Sequence, residues 1–310
     1  MADHIYDTII IGNGPAGCSA AIYAGRAQLD ALRIELGFPG GQVLNTTEVD
    51  NYPGIPMRGG MELANDLYEH SAKYGLPEKM EQVQRIEDAE KSIKKVVTDM
   101  DEYLARTIVL AAGAHHRVLG AKGEAEYTGR GVSYCATCDG GFYKGKTCLV
   151  IGGGDTAIAD ALYLSHICER VYLAVRRGVL RASGITAENA KNTENLTILY
   201  HTEVLEVLGD KKVNGVRLIQ NETKEERILP LDGVFVAVGI DPTNELVKDL
   251  VKTDPAGFVY TDETMQTSIP GLFAAGDVRV KPLRQIVTSA ADGAVAITGV
   301  QRYLEADPLA

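Results

Sequence analysis

Asp7-Thr-Ile-Ile-Ile-Gly12-Asn-Gly14-Pro15-Ala16-Gly17 carries an apolar run straight into three glycines, and the small-residue stretch Cys18 to Ala27 that follows has helix-like character. This is the strand, glycine turn and helix of a Rossmann unit. The first glycine permits the tight turn, the second lets backbone approach a pyrophosphate, and the third allows close helix–strand packing. The helix N-terminus attracts the anion. Ala31-Leu-Arg-Ile-Glu35 reads as the second strand and ends in an acid about 20 residues on, where a carboxylate accepts hydrogen bonds from ribose hydroxyls. Glu35 is therefore a cofactor candidate; the plainer alternative is a solvated charge at a strand end.

Sliding the sequence by 140 positions lays Gly12 on Gly152, Gly14 on Gly154 and Gly17 on Ala157, so the unit occurs twice. The repeat, Gly152-Gly-Gly154-Asp155-Thr156-Ala157, predicts a second dinucleotide site. On the same offset Glu35 falls on Val175, and Arg176-Arg177 follow, with Arg181 four positions further. A carboxylate there would repel a 2′-phosphate, whereas guanidinium groups bind one through charge-assisted hydrogen bonds. The second site is thus expected to prefer NADPH to NADH, the alternative being a solvated basic turn. Near the C-terminus Gly271-Leu-Phe-Ala-Ala-Gly276-Asp277 reads as a short strand ending in Gly-Asp, before a helix expected from about Thr288 to Tyr303.

Between the two glycine turns stands Cys135-Ala-Thr-Cys138-Asp139, its second cysteine fourteen residues before Gly152. A Cys-x-x-Cys spacing lets two sulfurs close a small ring, and its thiolate can be stabilised enough to react near neutral pH. Half of a zinc site is the competing reading. Zinc needs a second such pair or histidines at ligand spacing, and the adjacent His115-His116 do not converge on one metal, so redox chemistry is expected and no metal.

The chain has 310 residues, 45% hydrophobic and 24% charged, enough for two domains with sizeable cores. Its formal charge of -11 argues against a nucleic-acid partner, which draws on clustered Lys and Arg. The N-terminus lacks the basic region and long apolar core of a secretion signal, and no apolar run approaches membrane-spanning length. A cytoplasmic protein without membrane association is expected. Cys18, Cys148 and Cys168 then read as buried small apolar residues rather than parts of a disulfide framework.

With both glycine turns, Tyr134-Cys135-Ala-Thr-Cys138-Asp139-Gly140 and Leu272-Phe-Ala-Ala-Gly276-Asp277-Val278 in this order, nearly the whole chain resembles the bacterial-type, low-molecular-weight thioredoxin reductases. The resemblance implies an α/β fold of two Rossmann-like nucleotide-binding domains, the NADPH domain inserted into the FAD domain. The expected boundaries are residues 1–116 and 245–310 for the FAD domain and 117–244 for the NADPH domain with its redox pair. It also implies a homodimer. Gly12, Gly14, Pro15, Ala16, Gly17 and Glu35 match the FAD adenosine and pyrophosphate contacts. Gly41, Gln42 and Asn51 match the flavin pocket, Gly276 and Asp277 the ribityl contact, and Arg284 and Gln285 the segment beside the flavin. Gly152, Gly154, Asp155, Thr156 and Ala157 match the NADPH pyrophosphate turn, and Arg176, Arg177 and Arg181 the 2′-phosphate clamp. That clamp usually reads His-Arg-Arg-Asp-x-Phe-Arg; Val175, Gly178 and Leu180 here replace its His, Asp and Phe.

By the same resemblance, electrons pass from NADPH through FAD to Cys135–Cys138 and on to the disulfide of thioredoxin. Cys138 faces the flavin, Cys135 attacks the partner, and Asp139 handles the thiol proton. An ordinary Asp titrates near 4, so this role requires burial or a nearby negative charge; capping the turn before Gly140 is the plainer role. Nicotinamide and dithiol must reach one flavin from a single inserted domain, so that domain is expected to swivel about crossings near residues 113–119 and 241–247. Two rivals remain: a reductase of the same build using ferredoxin or another disulfide partner, and a nucleotide-responsive sensor without turnover.

Overall fold

In the computed structural model, which describes residues 4–46, 48–181 and 184–306, the chain divides into two compact units. One joins Met1–His115 with Asp241–Ala310; the other is the inserted segment His116–Ile240.

The first unit is built around strand β1 (Ile5–Ile11), helix α1 (Pro15–Arg26) and strand β2 (Ala31–Glu35). Ile9, Ile10 and Leu32 are fully buried, as expected of strands covered on both faces. β1 pairs in parallel with β2 on one side and with Glu102–Leu110 on the other. The end of Glu102–Leu110 also pairs in parallel with Leu272–Ala274, from the far end of the sequence. α1 presents Ala16, Ala20, Ala21 and Ala24 to Ala296, Ile297 and Val300 of the C-terminal helix Ile286–Ala306. Gly293 of that helix lies where a Cβ would strike the Ala16 carbonyl, so the two helices approach at backbone distance. The C-terminal helix begins two residues earlier than expected, because Thr288 lies within its first turn, where its hydroxyl accepts the Gln285 N–H at 3.1 Å.

The inserted unit repeats the plan. Its parallel sheet has the order Val132–Ser133, Gly233–Val236, Thr147–Ile151, Arg170–Val175, Leu196–Tyr200. Helix Asp155–Ser165 packs Ile158, Ala161 and Leu164 onto it. A three-stranded antiparallel sheet, Thr202–Gly209, Val213–Gln220 and Glu226–Pro230, completes this unit. The duplicated strand–turn–helix read from the glycine offset is thus present twice, the second copy inserted into the first. No helix among the described residues is long and apolar enough to cross a membrane.

Candidate functional site

The first glycine turn is where chain segments meet. Gly12 has φ +103°, and a Cβ there would run into the Ala111 carbonyl; a Cβ on Gly17 would strike the Gly12 carbonyl. Helix and turn therefore pack as closely as the fingerprint requires. Around Gly14 a Cβ would meet only Gly41 Cα, at 3.8 Å, which leaves room for a ligand against bare backbone. α1 starts on Gly14 with Pro15 in its first turn and no side-chain cap, so its amides are open to an anion. Gly276 is drawn to the same turn, where a Cβ would lie 2.9 Å from Ala16 Cβ.

Glu35 is not merely solvated. Its carboxylate accepts the Asn13 N–H at 2.8 Å and the Gly37 N–H at 3.1 Å, fixing the acid beside the turn. Beneath it lies a network absent from the sequence reading. Asn13 Nδ2 donates to Glu78 at 2.6 Å, Glu78 pairs with the buried Arg33 at 2.8 Å, and Arg33 reaches Ser71 at 2.9 Å. Such a pair is weak evidence of net stability; here it holds Asn13 in position. An arginine in the middle of an apolar strand was the visible signal.

Distant residues of this unit converge as well. Asn51 Nδ2 donates to Gln285 Oε1 at 2.9 Å, across 234 positions. Gln42 lies in the short 3-10 turn Gly41–Asn45 and is exposed. Asp277 accepts a hydrogen bond from Ser289 at 2.9 Å; burial raises its pKa, opposed by Ser289, Lys281 and Arg284. Arg284 lies 3.8 Å above the Phe258 ring and donates to the Asp277 carbonyl at 3.3 Å. Asp292, which sequence reading missed, accepts the Gly276 N–H at 3.1 Å and Lys281 at 2.8 Å. Ser289 and Asp292 stand three residues apart, on one helix face turned toward this turn.

In the inserted unit Gly152 has φ +150°, and a Cβ there would meet the Ala237 carbonyl and lie 2.7 Å from Ala157 Cβ. Nothing stands within 4 Å of a Cβ on Gly154, which begins helix Asp155–Ser165 without a side-chain cap. Asp155 and Thr156 are exposed at that end. Val175 is buried at the end of its strand, while Arg176, Arg177 and Arg181 are exposed. The Arg181 N–H donates to the Gly153 carbonyl at 2.7 Å, so the arginine loop is tied to the glycine turn. None of these guanidiniums has a side-chain partner among the described residues.

Cys135 and Cys138 form a disulfide with Cα atoms 5.2 Å apart, across the one-turn helix Ala136–Asp139. Cys135 Sγ also accepts the Cys138 N–H at 3.2 Å. Burial raises the pKa of Asp139, and a hydrogen bond with Ser133 partly offsets it. Its side chain makes no capping hydrogen bond to the turn Gly140–Tyr143 that follows, which counts against the plainer role considered above. Glu124, buried, accepts from Leu119 N, Gly120 N and Tyr134 Oη at 2.7–2.8 Å and so fixes the residue before Cys135. Tyr134 is pushed up to about 12, first by burial and then by Glu124. Cys18, Cys148 and Cys168 are free and buried, the last two with sulfurs 3.6 Å apart.

Two Rossmann units, one followed by a fixed acid and one by exposed arginines, together with a Cys-x-x-Cys disulfide, define a dinucleotide-dependent disulfide oxidoreductase. A family model for pyridine nucleotide-disulphide oxidoreductases matches residues 6–294. Thioredoxin reductase of Listeria monocytogenes is 45% identical over 304 residues, covering 98% of this chain and 95% of the relative. That of Bacillus subtilis is 43% identical over 304 residues, 98% and 96% of the two chains. The crystal structure of thioredoxin reductase from Streptococcus pyogenes matches with a TM-score of 0.94 at 44% identity, over 99% of this chain and 100% of that one. The chain belongs to the pyridine nucleotide-disulphide oxidoreductase family and, within it, to the thioredoxin reductases. It is an oxidoreductase that binds a flavin and a pyridine nucleotide.

Proposed function

We propose that this protein takes electrons from NADPH through FAD and reduces the disulfide of thioredoxin with the Cys135–Cys138 pair. The observation that carries the reading is the preformed disulfide, followed directly by an acid of raised pKa, in the same unit as the arginine-tipped glycine turn.

The residues fit both cofactors. The open space at Gly14, the uncapped start of α1, Glu35 and the cluster of Asp277, Arg284, Gln285 and Asn51 suit FAD. The open Gly154, the uncapped helix behind it and Arg176, Arg177 and Arg181 suit a 2′-phosphorylated dinucleotide. Bound flavin supplies the two-electron chemistry that links nicotinamide to dithiol.

Opening Cys135–Cys138 takes up two electrons and two protons. In the reduced pair the Cys138 amide, already 3.2 Å from Cys135 Sγ, stabilises a thiolate there. That thiolate attacks one sulfur of the thioredoxin disulfide, and the other sulfur leaves and is protonated. Cys138 then attacks Cys135 in the mixed disulfide, which re-forms the pair and releases thioredoxin with both sulfurs reduced. Asp139 is the group that holds and transfers the proton, because partial burial raises the pKa of its carboxyl.

A single flavin serving both the nucleotide and the dithiol of one inserted unit supports turning of that unit about its two crossings; a cross-link pinning the units that left turnover intact would overturn it. The cytoplasmic setting expected from the sequence and the homodimer implied by the resemblance belong to the same reading. The test is anaerobic titration with NADPH and, separately, NADH, followed by oxidised thioredoxin. Bleaching of the flavin by NADPH at low concentration, reversed by thioredoxin, is expected. Bleaching by dithionite but by neither nucleotide would point instead to a ferredoxin-type donor.

A further inference from the structure

The arginine loop of the inserted unit is held from behind by residues just beyond the neighbouring strand. Val175 pairs with Tyr200 in register, so the two strands end side by side and the next residues, Arg176 and His201, leave the sheet together. The His201 N–H donates to the Arg177 carbonyl at 3.3 Å, and Asn221 Nδ2 donates to the Arg176 carbonyl at 3.3 Å. The His201 ring itself rests on Gly178, where any Cβ would run into Nε2 and Cε1. On its other side Nδ1 lies 3.4 Å from Glu222 Oε1.

The clamp that this loop resembles carries His and Asp where Val175 and Gly178 stand. Val175 is buried in the sheet, and Gly178 supplies no carboxylate to compete for an anion. The missing side chain at Gly178 leaves room that the imidazole of His201 fills. We propose that His201 is a specificity-determining residue of the nicotinamide nucleotide site, its Nε2 joining Arg176 and Arg177 in binding the 2′-phosphate. The inference rests on the NADPH reading of that site.

Imidazole suits this position because its Nε2 can hydrogen-bond a phosphate oxygen while Nδ1 faces Glu222.

His201 has φ +52°, a left-handed conformation that Asn adopts readily. His201→Asn therefore keeps the turn while withdrawing the ring from Gly178, and Gly178→Ala keeps the histidine but displaces its ring. The measurement is calorimetric binding of 2′,5′-ADP and of 5′-AMP to the flavin-loaded protein, a pair of probes differing only in the 2′-phosphate. Both variants are expected to bind 2′,5′-ADP about tenfold more weakly, the loss of one charge-assisted hydrogen bond, with 5′-AMP binding and the flavin spectrum unchanged. If both bind 2′,5′-ADP as the wild type does while the wild type still prefers it to 5′-AMP, the role of His201 is overturned and the NADPH reading survives. If the wild type binds the two probes equally, both are overturned.

Discussion

The two nucleotide units share one strand–turn–helix plan and differ at two places, each with a physical meaning. At the third turn position the first unit has Gly17, because the Gly12 carbonyl leaves no room for a Cβ; the second has Ala157, whose methyl lies where a side chain on Gly152 would go. At the tip of the second strand the first unit has Glu35, gripped by two backbone amides, and the second has a buried Val175 followed by exposed arginines. Under the proposed reading, one scaffold offers an acceptor suited to ribose hydroxyls in one copy and donors suited to a phosphate in the other. The proposed chemistry is divided accordingly: the flavin cradle falls in one unit, and the dithiol and the proposed nicotinamide clamp in the other.

The sharpest break of that division is Cys138→Ser. It should reduce thioredoxin turnover by more than about a thousandfold, because no second sulfur remains to resolve a mixed disulfide. Flavin absorbance and its bleaching by NADPH should persist, and turnover within tenfold of wild type would remove the dithiol from the mechanism. On the other unit Gly17→Ala should yield protein largely free of flavin, since a Cβ there must push the turn and helix apart. A normal flavin-to-protein ratio after purification would show that the close approach is dispensable.

Asp139→Asn separates activity from stability. Turnover should fall by roughly 10²–10³, the range for loss of a general acid, with flavin retained. Burial raises the Asp139 pKa, so its stabilising contribution is complete below the unfolded value of about 3.9 and is lost as pH rises through the higher native value. Asn does not ionise and escapes that loss. The variant should therefore unfold at a temperature no lower than wild type at neutral pH, and a clear drop in Tm at neutral pH alone would contradict the burial argument.

Replacing Arg176 and Arg177 together by Ala tests the charge contrast directly. KM for NADPH should rise about 10- to 100-fold, two charge-assisted contacts at the lower end of their range, while KM for NADH changes little. Equal effects on both nucleotides would place the arginines outside the 2′-phosphate site. The smallest effect is expected of Ala157→Gly, which makes the second turn resemble the first. Loss of one buried methyl and the added chain freedom should lower stability by about 1 kcal/mol, read by denaturant midpoint, with NADPH use preserved.

The alternation of strand, glycine turn and helix was legible because those signals are local. Glycines at fixed spacing, an apolar run before them and an acid or arginine after the next strand act within a few residues of one another. The pairing of Cys135 with Cys138 and the burial of Cys18, Cys148 and Cys168 were legible for the same reason. Less visible were side chains that act from another segment. Asp292 orders the Gly276 amide from the last helix with nothing in its own neighbourhood to mark it, and Arg33, conspicuous only as a charge within an apolar strand, braces Asn13 through the distant Glu78.

The sequence alone therefore determined the duplicated architecture, the redox spacing and the exchange of charge between the two strand tips, since each follows from backbone sterics and residue type over short distances. Only tertiary structure decided which residues work together. It brought Asn51 to Gln285, laid His201 on Gly178 and withdrew Asp139 far enough from water to raise its pKa. Proximity across many residues and removal from water are properties of the folded core, which no short window of the chain contains.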